Sequence, residues 1–316
     1  MQRLVFQVPV RPPFSFALAC SYLQRSPGTV LEKVGRGEYR RVVVLESNPA
    51  LLRVSALPRS HPAIPDHGAF SESLQVSLQG EHLGPEQADA AALLVARIFQ
   101  SDASVAGLER AGAEDPIFAA LLDEWRGLRP ILLPTPFEAL VWAILGQQVN
   151  VSFAAKTKRA LAQRYGVRAR FNGESYLLFP DPEALASARD GDLAALQLSR
   201  QKIRYVKGLA MEVASGRLDL DALGTAGPEE ALTALQSLVG IGLWTAEYVL
   251  LRGYGHRDVI PAADGGLRNI IGKSYGLGRS ATEAEVRELA QRWEGWRGYA
   301  AFYWWAKLQW SRHRAP

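Results

Sequence analysis

Leu235-Gln236-Ser237-Leu238-Val239-Gly240-Ile241-Gly242-Leu243-Trp244-Thr245-Ala246 sets two glycines, one residue apart, between two stretches with apolar faces. Glycine permits a tight hairpin there and lets the backbone come close to something else. The stretch reads as helix, hairpin, helix over about residues 228–255. Amide N–H groups at the hairpin and at the start of the second helix then point outward, which suits a phosphate. A plain helix–helix turn would use the same glycines, so the surrounding residues must decide between the two readings.

Outward from the hairpin, helix punctuation dominates. Thr135-Pro136-Phe137-Glu138 has the form of a capping box with proline at the first helical position, launching a helix over Phe137–Gln147. Asp181-Pro182 and Gly227-Pro228 repeat the cap-then-proline signal, while Ser152 and Ser199 can cap helices that Gly166 and Gly216 would end. Residues 102–316 are therefore expected to be a bundle of short helices without strands.

Residues 1–101 differ. Glu38–Glu46 and Leu51–Ala56 are rich in β-branched or alternating apolar residues, and Ser73–Gln79 has a period of two that would bury Leu74, Val76 and Leu78. Helical stretches are expected around Phe14–Leu23 and Pro85–Gln100, and a proline- and histidine-rich loop, Pro58–His67, between two strands. The fold class is mainly α: a helical domain preceded by a small α+β domain built on an antiparallel sheet.

The 316 residues amount to roughly two domains, enough to bury a core without covalent staples. A single cysteine, Cys20, excludes an internal disulfide and a four-cysteine zinc or iron–sulfur site, and fits a reducing cytoplasm. The longest apolar runs, such as Ala139–Leu145, fall far short of a membrane span. Leu18-Ala19-Cys20 faintly suggests a lipoprotein export signal, but Pro9, Pro12 and Pro13 interrupt the apolar core it requires. Net charge is only +4, yet it is unevenly spread. Ala139–Gly173 holds Lys156, Lys158, Arg159, Arg164, Arg168 and Arg170 with no acid; Gly295–Pro316 holds Arg297, Lys307, Arg312 and Arg314, again with none. Such stretches suit a polyanion, or are solvated faces balanced by acids elsewhere.

Asp264 lies 22 residues after Gly242, in Pro261-Ala262-Ala263-Asp264-Gly265-Gly266-Leu267-Arg268. Alone it reads as a helix N-cap; a carboxylate held ionised at a helix start is also suited to stabilising a cation. With the hairpin, Gly37-Glu38-Tyr39-Arg40, Phe137-Glu138-Ala139, Ala143-Ile144-Leu145-Gly146-Gln147-Gln148-Val149 and Trp293-Glu294-Gly295-Trp296-Arg297-Gly298-Tyr299-Ala300, the sequence resembles the helix–hairpin–helix DNA glycosylases. Within them it is similar to the 3-methyladenine DNA glycosylase II, or AlkA, type, over nearly the whole chain.

The resemblance implies a monofunctional enzyme that flips alkylated purines out of double-stranded DNA and hydrolyses the N-glycosidic bond in base excision repair. A purine alkylated at N3 or N7 is already cationic, so it departs without a general acid. One carboxylate near the sugar then suffices, where glycosidases of neutral sugars need two. Asp264 matches that catalytic carboxylate, and Trp244, Tyr248 and Trp305 match aromatics of the base pocket, although tryptophans in a helical chain are mostly core, as Trp293, Trp296, Trp304 and Trp310 are expected to be. Gly240, Gly242 and Thr245 match the DNA-binding hairpin. Gln148 matches a residue, often leucine, that fills the gap left by the flipped base, with Gln147 the next candidate and a solvated loop the plain alternative. The backbone carbonyls of Gln236, Leu238 and Ile241 match positions that hold a monovalent ion, Na+ or K+, against a DNA phosphate; no other cofactor is implied. Gly265 and Gly266 depart from relatives with bulkier residues there, which bears on pocket size. A cytoplasmic monomer, nucleoid-associated in a bacterium and with no membrane partner, is expected.

Two other readings compete. Glycosylase/lyases for oxidised bases carry a nucleophilic lysine on the second hairpin helix, where this chain has Trp244. A non-catalytic DNA-binding module would leave Asp264 and residues 1–101 without a role.

Overall fold

The computed structural model describes residues 1–35, 37–46, 48–57 and 73–314; the anticipated loop Pro58–His67 lies outside them. Five antiparallel strands, β1 (Gln2–Pro9), β2 (Lys33–Gly35), β3 (Glu38–Leu45), β4 (Asn48–Ala56) and β5 (Ser73–Gly80), form a sheet in the order β1-β5-β4-β3-β2. The alternation in β5 buries Leu74, Val76 and Leu78 completely, beside Leu52 and Val54 of β4. Two helices, α1 (Phe16–Arg25) and α2 (Pro85–Phe99), belong to this part of the chain. Phe99 meets Phe16 at 5.2 Å and Tyr39 at 5.3 Å between ring centroids, both edge to face.

The helical part comprises α3 (Leu108–Gly112), α4 (Pro116–Glu124), α5 (Pro136–Gly146), α6 (Val151–Tyr165), then a strand pair, β6 (Arg168–Phe171) and β7 (Glu174–Leu177). It continues through α7 (Pro182–Ala186), α8 (Asp190–Ala195), α9 (Arg200–Ala214), α10 (Leu220–Thr225), α11 (Pro228–Gln236), α12 (Leu243–Val249), α13 (Gly265–Ser274), α14 (Glu283–Leu289) and α15 (Arg297–Arg314). The β6–β7 pair corrects the expectation that strands end near residue 101. Asn172 and Gly173 both have positive φ, 50° and 80°, as a two-residue hairpin turn demands. Phe171, Tyr176 and Leu178 cover Val42 and Leu51 of the sheet.

Two caps also differ from expectation. Thr135 Oγ1 accepts from the Glu138 amide at 3.1 Å, but the Glu138 carboxylate completes no capping box, because Arg41 and Lys158 draw it into the interior. Helix α6 is capped by Asn150, whose Oδ1 accepts from Phe153 N at 2.8 Å, so Ser152 falls inside the helix. Ser199 caps α9 as expected.

One continuous apolar core runs from β5 and α2 to α15, with Trp293 and Trp304 fully buried in it. No helix among the described residues is long and apolar enough to cross a membrane.

Candidate active site

Asp264 is the N-cap of α13: its Oδ1 accepts the Leu267 amide at 2.7 Å and also the indole N–H of Trp305, from α15, at 3.0 Å. Both bonds use one oxygen, and among the described residues no donor reaches Oδ2. The carboxylate thus sits at the positive end of the helix dipole. Cap and candidate catalyst are thus the same group, held by two elements rather than one. Gly266 belongs to this arrangement, since a Cβ there would stand 3.2 Å from Asp264 Oδ1 and 3.0 Å from Leu308 Cδ2. A Cβ on Gly265 would meet nothing within 4 Å.

Asp264 lines a cavity of about 830 Å³ together with Trp244, Tyr248, Trp305 and Gln148. Trp244 and Tyr248 lie one turn apart on α12 with ring centroids 5.8 Å apart, and Tyr248 lies 5.8 Å from Trp305. The three aromatics expected in the base pocket and the expected catalytic carboxylate therefore line one cavity. Trp305 does more than provide a ring, because it also fixes the carboxylate.

The turn between α5 and α6 forms one lip of the cavity. Gln148 is exposed there, with a left-handed φ of 55°, beside the exposed Val149 and Val151. Gln147, half-buried, also lines the cavity, and its Nε2 donates to Gly240 O at 2.9 Å and to Thr245 Oγ1 at 3.2 Å. Those bonds make it a brace between the turn and the hairpin. Lys202 Nζ donates to Leu145 O at 2.7 Å, holding the carbonyl end of α5.

The hairpin between α11 and α12 needs its first glycine twice over. Gly240 has φ 89°, and a Cβ on it would lie 2.3 Å from the Tyr205 ring. Thr245 is only 2% exposed, with its hydroxyl engaged by Gln147, so its side chain is a packing group and not a surface contact. Gln236 ends α11, where carbonyls run out of helical partners, and Leu238 O accepts the Ile241 amide at 3.1 Å while keeping a second lone pair. These carbonyls are compatible with cation coordination.

Two parts of the site escaped the sequence reading. Trp142 of α5 lines the cavity and its indole N–H donates to Tyr248 Oη at 2.8 Å. Behind it, Glu138 pairs with Lys158 at 2.7 Å and with Arg41 from β3, which also pairs with Glu32. Burial alone would raise the Glu138 pKa, but Arg41 and Lys158 outweigh it and hold the carboxyl below its usual range. Lys158, counted among the cations of Ala139–Gly173, is thus internal; Lys156, Arg159, Arg164, Arg168 and Arg170 of that stretch are exposed.

Residues 141–295 match the HhH-GPD superfamily of base excision DNA repair proteins. That match covers just under half of the chain. Relatives with curated names include a DNA-3-methyladenine glycosylase of Bacillus subtilis, 36% identical over 194 residues, 61% of this chain and 64% of that protein. Another is DNA-3-methyladenine glycosylase 2 of Escherichia coli, 36% identical over 57% of this chain and 60% of its own length. The matched region thus spans less than two thirds of each. Among solved structures, a 3-methyladenine DNA-glycosylase from Archaeoglobus fulgidus superposes with a TM-score of 0.81, covering 98% of this chain and 99% of that one at 24% identity, which shows a common fold.

Proposed function

We propose that this protein is a monofunctional DNA glycosylase that excises alkylated, cationic purines from double-stranded DNA. The observation that carries the reading is the pairing of one fixed carboxylate, Asp264, with a cavity walled by Trp244, Tyr248 and Trp305. The named relatives support the same substrate class.

The chemistry follows from the charges. An alkylated purine flipped into the cavity, at a cost of a few kcal/mol for unstacking, meets aromatic faces that attract a cation. The glycosidic bond breaks with its electron pair going to the base, which leaves neutral. Positive charge moves to the sugar, where the Asp264 carboxylate stabilises it. Water adds to the anomeric carbon and gives up a proton, leaving an abasic site in an intact strand. Lys158 is the only lysine lining the cavity among the described residues, and it is 2% exposed and paired to Glu138. This supports hydrolysis over lyase chemistry, for which a free amine is needed.

The hairpin is read as the phosphate anchor, with Gln236, Leu238 and Ile241 carbonyls holding Na+ or K+, a bound cation that would offset phosphate charge. Gln148 is read as the residue that fills the duplex after flipping. The protein is read as a cytoplasmic monomer of two domains meeting near residue 101. Duplex oligonucleotides, each bearing one defined lesion, test the function: release of 3-methyladenine or 7-methylguanine with the strand uncut is expected. Release of oxidised bases alone, with strand cleavage, would overturn it.

A further inference from the structure

Trp142 forms a wall of the cavity that the hydrolysis itself does not use. It is constrained on three sides. Its indole N–H is committed to Tyr248 Oη at 2.8 Å. Gly28, just after α1, lies so close that a Cβ there would stand 3.0 Å from Trp142 Cζ2 and 3.3 Å from Cη2. The Lys158 ammonium, held by Glu138, sits 5.4 Å from the ring centroid. A tryptophan so confined cannot change rotamer without breaking its hydrogen bond or moving a neighbour. Gly28 also lines the cavity, so the N-terminal part of the chain contributes to its shape through this contact.

The bond to Trp142 has a second consequence. Tyr248 is 91% buried, and its oxygen accepts from Trp142, so the phenolic proton is left to donate. Among the described residues no acceptor takes it. Burial pushes the phenol up to about 12, so the proton is present at neutral pH. Tyr248 lines the cavity, so an acceptor on a bound ligand can take this proton.

We propose that Trp142 determines base specificity: it limits base size on the Gly28 side of the cavity and turns the Tyr248 hydroxyl proton toward an acceptor on the bound purine. The inference rests on reading the cavity as the base-binding site. It places a ring nitrogen or exocyclic oxygen of the base opposite Tyr248, and it makes the cavity selective by shape as well as by charge.

The test is competitive release of methylated and benzylated purines from one DNA preparation carrying both, so that all lesions are cationic and differ in bulk. Competition reports ratios of kcat/KM, which a general loss of folding or DNA affinity scales equally. Trp142→Ala should raise benzylated over methylated release by about tenfold or more. Trp142→Phe keeps a ring without the N–H; it and Tyr248→Phe should each slow methylated-base release about tenfold, and the double variant should be no slower than either alone. Benzyl-to-methyl ratios unchanged within about twofold in Trp142→Ala, or additive losses in the double variant, would overturn the proposal. A wild-type protein that releases neither class would instead remove the underlying functional reading, and this inference with it.

Discussion

Glu138 shows how much of this protein rests on single buried groups. Its carboxylate neutralises Arg41 and Lys158 in the interior, and the two cations more than offset the rise that burial alone would cause. The folded pKa is lowered, so the stabilisation is complete above the unfolded value of about 4.3 and is lost as pH falls through the folded one. Glu138→Gln should destabilise the protein by about 3–5 kcal/mol at pH 7, since it leaves two buried cations short of a partner. Urea unfolding across a pH series should show the wild-type advantage shrinking below about pH 4; a constant advantage down to pH 2 would contradict the ion-pair account. Gly240 is the other sensitive residue. Gly240→Ala combines a positive φ with a clash against Tyr205, and should lower stability by about 1–3 kcal/mol in the same assay.

Elements matter through the joints between them, and the joint between the α5–α6 turn and the hairpin is the one that Gln147 makes. Gln147→Ala should slow excision from duplex DNA by about tenfold, with Thr245→Val adding little to it, because both remove the same contact. Strictly additive losses would show that the two side chains act separately. At the adjoining position, Gln148→Ala should slow excision from duplex far more than from single strands, and Gln148→Leu should retain much of the duplex rate. Equal slowing on both substrates would dismiss Gln148 as the gap-filling residue. What the sequence made legible at this scale was local. The glycine hairpin, the caps at Thr135 and Ser199, and the period of two in β5 each follow from residues a few positions apart. Contacts between distant segments were not legible: Trp142 and Tyr248 are 106 residues apart, and Arg41 and Glu138 are 97 apart. The β6–β7 hairpin had a readable signal in Asn172-Gly173 that the basic residues around it obscured.

For the whole molecule, the sheet, the helices and the cavity form one packed unit in which α12, α13 and α15 bring Trp244 and Tyr248, Asp264, and Trp305 to one place. If phosphates dominate the contact with DNA, binding to undamaged duplex should be blind to sequence and should weaken steeply with salt. A flat response between low and physiological ionic strength would argue for a different interface. Borohydride should trap no covalent enzyme–DNA complex, because the lysine at the cavity is buried and paired. The central claim is that one carboxylate, Asp264, stabilises a sugar cation. It is tested most directly by Asp264→Asn, an isosteric change that keeps the oxygen accepting from Leu267 and Trp305 and removes only the charge. Single-turnover release of 3-methyladenine should fall by about a hundredfold or more, while affinity for lesion-bearing DNA stays within a few-fold. A variant that still releases the base at close to the wild-type rate would contradict the account.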